Sequence, residues 1–128
     1  MSRWSYALMA VAGLAGGAGV MEAAAAAHSA ADPRLATSAN FLMLDAAASM
    51  AIGAFALSAA RGSSWFLAAA TILLAGGLLF CADLSLRVFA AQRLFPFAAP
   101  IGGTLMIIGW LVAAATAIGC SLSGERRG

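Results

Sequence analysis

The 128-residue chain carries five acidic side chains, and three of them, Glu22, Asp45 and Asp83, stand inside or at the edge of apolar stretches. An ionised carboxylate in hydrocarbon costs about 2.5–3.5 kcal/mol at mid-depth and less near the surface, so each of the three needs a partner or a task. Two chemistries fit. In the first, the carboxylates form a paired polar layer that ties helices together. Asp83 and Arg87 are spaced i,i+4 with the acid first, the favourable order for a helical ion pair. Glu22 has only Ala18, Gly19, Ala25 and Ala26 at helical spacing on its own segment. It must therefore find a partner on another helix, and Arg87 and Arg93 stand at that level. In the second, the three carboxylates, all about one turn below the same membrane face, make a cation or proton site near one mouth. Structural pairing is the leading expectation.

Other chemistries are poorly supported. His28 is the one histidine, and with scattered carboxylates it lacks metal-ligand spacing, so no metal is expected and His28 is read as ending the first helix at the interface. A second histidine for bis-histidine haem is missing, as is a lysine for a Schiff base. No HExxH, no phosphate-loop lysine and no Ser-His-Asp pattern is present. The chain is read as not an enzyme and as needing no cofactor. A net charge of +2 is too small for a nucleic-acid footprint.

The elements that hold these residues follow from composition. With 63% hydrophobic and 9% charged residues and a mean hydropathy of +0.95, the chain cannot clothe itself for water, where roughly 25% charge is usual. A spanning helix needs about 20 mostly apolar residues, and four segments qualify: Trp4 to Ala27 (4–27), Phe41 to Ala60 (41–60), Trp65 to Leu86 (65–86) and Pro100 to Ser121 (100–121). Their Ala- and Leu-rich runs lack the alternation of strands, and only helices satisfy their own backbone in lipid. The expected fold is all-α, a single integral membrane four-helix bundle over 1–128 with antiparallel up-down threading.

The punctuation agrees. Asp32-Pro33 reads as an N-cap followed by proline at the first helical position, so the second helix begins outside the membrane near Arg34. Arg61-Gly62-Ser63-Ser64 reads as a tight turn, with Ser64 as cap of the third helix. Pro96 and Pro100 forbid one helix through the third and fourth segments. Arg87 to Phe95 is read as a short amphipathic piece along the interface. The tail from Ser123 to Gly128 is expected to be mobile. Threading puts Trp4, Tyr6, Trp65 and Phe66 at one interface and Phe41, Phe89, Phe95 and Phe97 at the other, as aromatic belts require. Arg3, Arg61, Arg126 and Arg127 then face Arg34, Arg87 and Arg93 across the membrane, a slight positive-inside bias that favours cytoplasmic termini.

A rival reading makes the first segment a signal peptide cleaved near His28; the misplaced Glu22 and the glycines argue against it. Gly13/Gly17 and Ser49/Gly53 are small-xxx-small pairs, read as internal packing seams with homodimerisation as the alternative. Cys81 falls near the outer end of the third helix and Cys120 near the inner end of the fourth, about 20 Å or more apart, and both are expected to be free thiols.

Pro100-Ile101-Gly102-Gly103-Thr104, followed by Gly109-Trp110, resembles the signature of a small membrane-protein family, domain of unknown function 423, which includes bacterial inner-membrane proteins and the animal transmembrane protein 256. Gly76-Gly77-Leu78-Leu79-Phe80 before Cys81-Ala82-Asp83-Leu84 is similar to that family's end of the third helix, and the glycine-rich first helix ending at His28 to its first. Departures are Asp45, where many members have histidine, Asp83 in place of serine, Ala99 in place of threonine, and Glu22 to Ala27 in place of a Gly-Phe step. The resemblance implies four helices and no signal cleavage, and brings no established activity. Physically, Pro100 starts the fourth helix without wasting an amide donor, and Gly102, Gly103 and Gly109 admit a close neighbour. Trp110 at mid-depth is expected in the core, its indole N–H on a buried acceptor.

The sequence reading is thus a multi-pass protein of the bacterial inner membrane with lipid as its solvent. It is structural or accessory, or a subunit of a membrane assembly with a protein partner or a second copy. The alternative is a small transporter or ion or proton pathway acting as a homo-oligomer.

Overall fold

A computed structural model describes residues 2–28 and 32–125 of the chain. It contains α1 (Arg3–His28), α2 (Pro33–Ser58), α3 (Ser63–Phe89) and α4 (Ala98–Glu125). All four are long and apolar enough to cross a membrane. The antiparallel threading is visible in the contacts. Along α1, Gly13, Gly16 and Gly19 lie against Met50, Ala46 and Met43, descending along α2 as α1 ascends. Ser38 and Ser49 of α2 bond to Cys81 and Ala70 of α3. Gly76 of α3 lies against Gly102, Leu105 and Met106 of α4, while Gly109 meets Leu73. Packing runs α1 on α2, α2 on α3 and α3 on α4, with α1 touching α3 lightly.

The core is built from small residues and leucines: Ala12, Ala15, Ala46, Ala56, Ala69 and Ala70 beside Leu8, Leu35, Leu42, Leu73 and Leu74. Lipid chains are as apolar as leucine, so close van der Waals approach, not water exclusion, holds such helices together. Large apolar side chains point outward instead, among them Leu14, Met21, Ile107, Leu111 and Ile118. That exposed apolar band is what hydrocarbon tolerates and water does not.

The start of α2 bears out the Asp32-Pro33 reading. The Asp32 carboxylate accepts the Arg34 backbone N–H at 2.9 Å and Pro33 occupies the first turn. The Arg34 guanidinium also donates to Asp32, at 2.7 Å, and these bonds hold the Asp32 carboxyl below its ordinary range. As a result α2 starts well ahead of Phe41, and Asp45 falls in its middle rather than near its membrane-side start.

Several local expectations are corrected. Ser64 does not cap α3: the helix begins at Ser63, after Gly62 in the left-handed region at φ 73°. A side chain at Gly62 would also strike Cys120 Sγ and Thr116 of α4, so glycine is required there for two reasons. Residues 87–95 are not a separate amphipathic helix. Arg87 and Phe89 complete α3, and an irregular loop follows, with Ala91 at φ 52° and Phe97 at φ 67°. The tail is helical through Glu125, and Arg126 and Arg127 lie outside the described residues. Phe66 leaves the aromatic belt, being 6% exposed and packed edge-on against Phe55 at 5.1 Å. Gly17 is open on one side, and the α1 seam runs through Gly13, Gly16 and Gly19 instead. Cys81 and Cys120 are free thiols near opposite ends of the fold, Cys81 buried and donating to the Ser38 carbonyl.

Candidate functional site

The stripe Ser38, Leu42, Asp45 and Ser49 runs down one face of α2, and all four residues are buried. It meets Gly77, Cys81 and Ser85, a second i,i+4 stripe, on α3. Glu22 of α1 closes the top of this seam. Its carboxylate accepts the Ser38 hydroxyl at 2.7 Å and, on the other oxygen, the Ser85 hydroxyl. Ser38 further lies 3.3 Å from the Cys81 carbonyl and 3.2 Å from Ser85 Oγ. One side chain thus ties three helices, using bonds to a charged acceptor, each worth about 1.5–3 kcal/mol. The partners are hydroxyls and not Arg87 or Arg93, as the sequence suggested. Arg87 is engaged elsewhere and Arg93 is exposed in the α3–α4 loop.

Replacing Glu22 by alanine is expected to destabilise the fold by about 2–4 kcal/mol, because the buried Ser38 hydroxyl and the half-buried Ser85 hydroxyl lose their acceptor. Glu22→Gln keeps an acceptor oxygen and should lose about half as much. Thermal unfolding of the detergent-solubilised chain measures both, and equal melting temperatures for native and Glu22→Ala protein would contradict the tie.

Asp83 lies on the opposite side of α3, in the stripe Leu73, Gly76, Phe80 and Asp83 that faces α4. It is 0% exposed. The Arg87 Nε and Nη2 groups donate to its Oδ2 at 2.8 and 2.7 Å, and the Leu94 backbone N–H donates to Oδ1 at 2.9 Å. The expected i,i+4 pair is present, and it also anchors the α3–α4 loop.

Asp45 differs from both. It is 1% exposed, and its Oδ2 finds no hydrogen-bond partner among the described residues. The oxygen rests against Gly77, where any Cβ would collide with it. Relative to Ser38, Asp45 lies about seven residues, or roughly 10 Å, further into the membrane span. The three carboxylates therefore do not share one depth or one site. Glu22 and Asp45 occupy the α1–α2–α3 seam at different levels, and Asp83 faces away. His28 ends α1, exposed. No group of His, Cys, Asp and Glu able to hold a metal is present among the described residues.

In the fourth-helix motif, Ala98, Gly102, Met106 and Gly109 form the buried stripe against α3. A methyl at Gly102 would fall 2.6 Å from the Phe80 nitrogen, and one at Gly109 2.8 Å from the Leu73 nitrogen. Gly103 has nothing within 4 Å, and Pro100 is exposed. Trp110 is not a core filler: it is 45% exposed. With Gly109 fixed on α3, the next residue is turned about 100° away from the seam.

Sequence reasoning missed Ser38 and Ser85, and read Ser49 only as a packing residue, Gly77 only as part of a motif and Cys81 only as a free thiol. The signal was present, since Ser38, Asp45 and Ser49 share a face at spacings of seven and four.

A family model described as protein of unknown function (DUF423) matches residues 15–103. No curated protein and no solved structure matches the chain.

Proposed function

The chain belongs to the DUF423 family of proteins of unknown function, and from that premise we propose that this small membrane protein is a non-enzymatic structural or accessory component, a subunit of a larger membrane assembly. One observation carries the reading: the carboxylates nearest the α1–α2 end are spent on holding the fold. Glu22 ties α1, α2 and α3 through Ser38 and Ser85, and Asp83 fixes Arg87 and the loop at Leu94. The clefts of about 610 and 460 Å³ beside Arg61 lie toward the other end and are lined by none of the three carboxylates.

The finer reading sets the chain in the bacterial inner membrane with both termini cytoplasmic, supported by Arg3 and Arg61 lying at the terminal side. Reporter fusions to the C-terminus test that orientation, and a periplasmic signal counts against it. Gentle solubilisation of the native membrane, followed by identification of co-purifying chains, tests the assembly reading. A stoichiometric membrane-protein partner or a stable homodimer is the expected result. A monomer recovered alone under every mild detergent overturns it.

A further inference from the structure

Asp45 sits midway along α2, 1% exposed, with Oδ2 unpartnered and pressed against the Gly77 backbone. Among the described residues nothing cationic faces it. From α1 the titratable group is Glu22, at the mouth of the seam. From α3 the groups are Cys81, one turn from Gly77 and donating to the Ser38 carbonyl, and Asp83, turned toward α4 and paired with Arg87. A bare charge at this depth is costly unless something neutralises it. Among the described residues no arginine or histidine does so, and no set of metal ligands is assembled. A cation at Oδ2 would have to take the place of the Gly77 contact.

The one ligand that needs no volume is a proton. It cancels the charge and turns the unpartnered acceptor into a hydroxyl donor. Above the site, the seam holds Cys81, Ser38, Ser85 and Glu22, of which Ser38 contacts Cys81, Ser85 and Glu22 in turn. We propose that Asp45 is a proton-binding site within the membrane span. Binding forms one O–H bond on the carboxylate and takes the proton from a hydronium ion, which leaves as water. No electron moves and no bond to carbon changes.

The test is infrared spectroscopy of the full chain reconstituted in phosphatidylcholine vesicles. The native protein is expected to show the carbonyl stretch of a neutral carboxylic acid. The band is lost in Asp45→Asn, kept in Glu22→Gln, and shifted when water is exchanged for deuterium oxide. A native spectrum without the neutral-acid band, or a band that survives in folded Asp45→Asn, overturns the site. Helical circular dichroism establishes that each variant is folded, and the native spectrum decides the first question without any variant.

Discussion

Replacing Gly102 with alanine loosens α4 from the rest of the protein, while the same change at the adjacent Gly103 leaves α4 in place. The two glycines lie side by side in one motif but on different faces. At Gly102 an added methyl falls 2.6 Å from the Phe80 nitrogen and 2.8 Å from the Gly76 carbonyl oxygen, both backbone atoms that no rotamer change can move. At Gly103 it meets nothing within 4 Å. Alanine improves on glycine within a helix by roughly 0.5–1 kcal/mol, so Gly103→Ala should be neutral or slightly stabilising. Overpacking a close seam costs typically about 1–3 kcal/mol. At Gly102 that cost is at its upper end, because two helix backbones must separate and α4 has its main packing on α3 alone. Gly76 lies across the same seam, with Gly102 O and Met106 N each 2.7 Å from an added methyl, so Gly76→Ala should match Gly102→Ala. Two measurements check this. The melting temperature should fall for Gly102→Ala and not for Gly103→Ala. The Cys120 thiol, packed beside Gly62 at the far end of α4, should alkylate faster only in Gly102→Ala. Equal behaviour of the two variants would mean that the seam is not glycine-limited.

How much of this was legible beforehand depended on which physical rule was strict. Hydrocarbon demands long self-satisfied helices, so four spans and their threading follow from composition and from Pro96 and Pro100. The Asp32-Pro33 cap was equally readable, because cap chemistry is local. Its consequence for depth was overlooked. Thr37, Ser38 and Asn40 interrupt the apolar run, which makes Phe41 look like the entry of α2, whereas the helix starts at Pro33 and carries Asp45 to mid-span. The hydroxyl partners of Glu22 were hidden for another reason: a search for counter-charges passes over serines, yet serines fit between closely packed helices and arginines do not. Trp110 went astray because its neighbour, not its own bulk, sets its direction. Gly109 claims the seam, and one residue further on the helix faces outward.

Asp83→Ala is the other change expected to act strongly, since the carboxylate serves two structures at once. Its Oδ2 holds Arg87 and its Oδ1 holds the Leu94 backbone N–H, and the side chain is fully enclosed. Removing one member of a buried pair costs about 3–5 kcal/mol, mostly because the other charge is left behind. The Arg87 side chain is 24% exposed and lies in the last turn of α3, so it can turn partly toward the membrane surface. That places the ionic loss at the lower end. The orphaned Leu94 amide adds about 1–3 kcal/mol. The two contributions separate by substitution. Asp83→Asn keeps an acceptor for Leu94 and loses the charge. Arg87→Leu with Asp83→Ala removes the stranded cation and should recover part of the stability lost in Asp83→Ala alone. If the pair is as enclosed as the geometry says, salt up to molar concentration should change these differences little, because screening acts on exposed charges. Recovery in the double variant with no change in protection of the Leu94 amide from hydrogen exchange would show that the ion pair, and not the loop anchor, carries the effect. No recovery, with Leu94 deprotected, would assign it to the anchor. In that case the carboxylate's main task is to set where the chain turns back into α4, and so to place Gly102 on Gly76 in the seam that the first prediction probes.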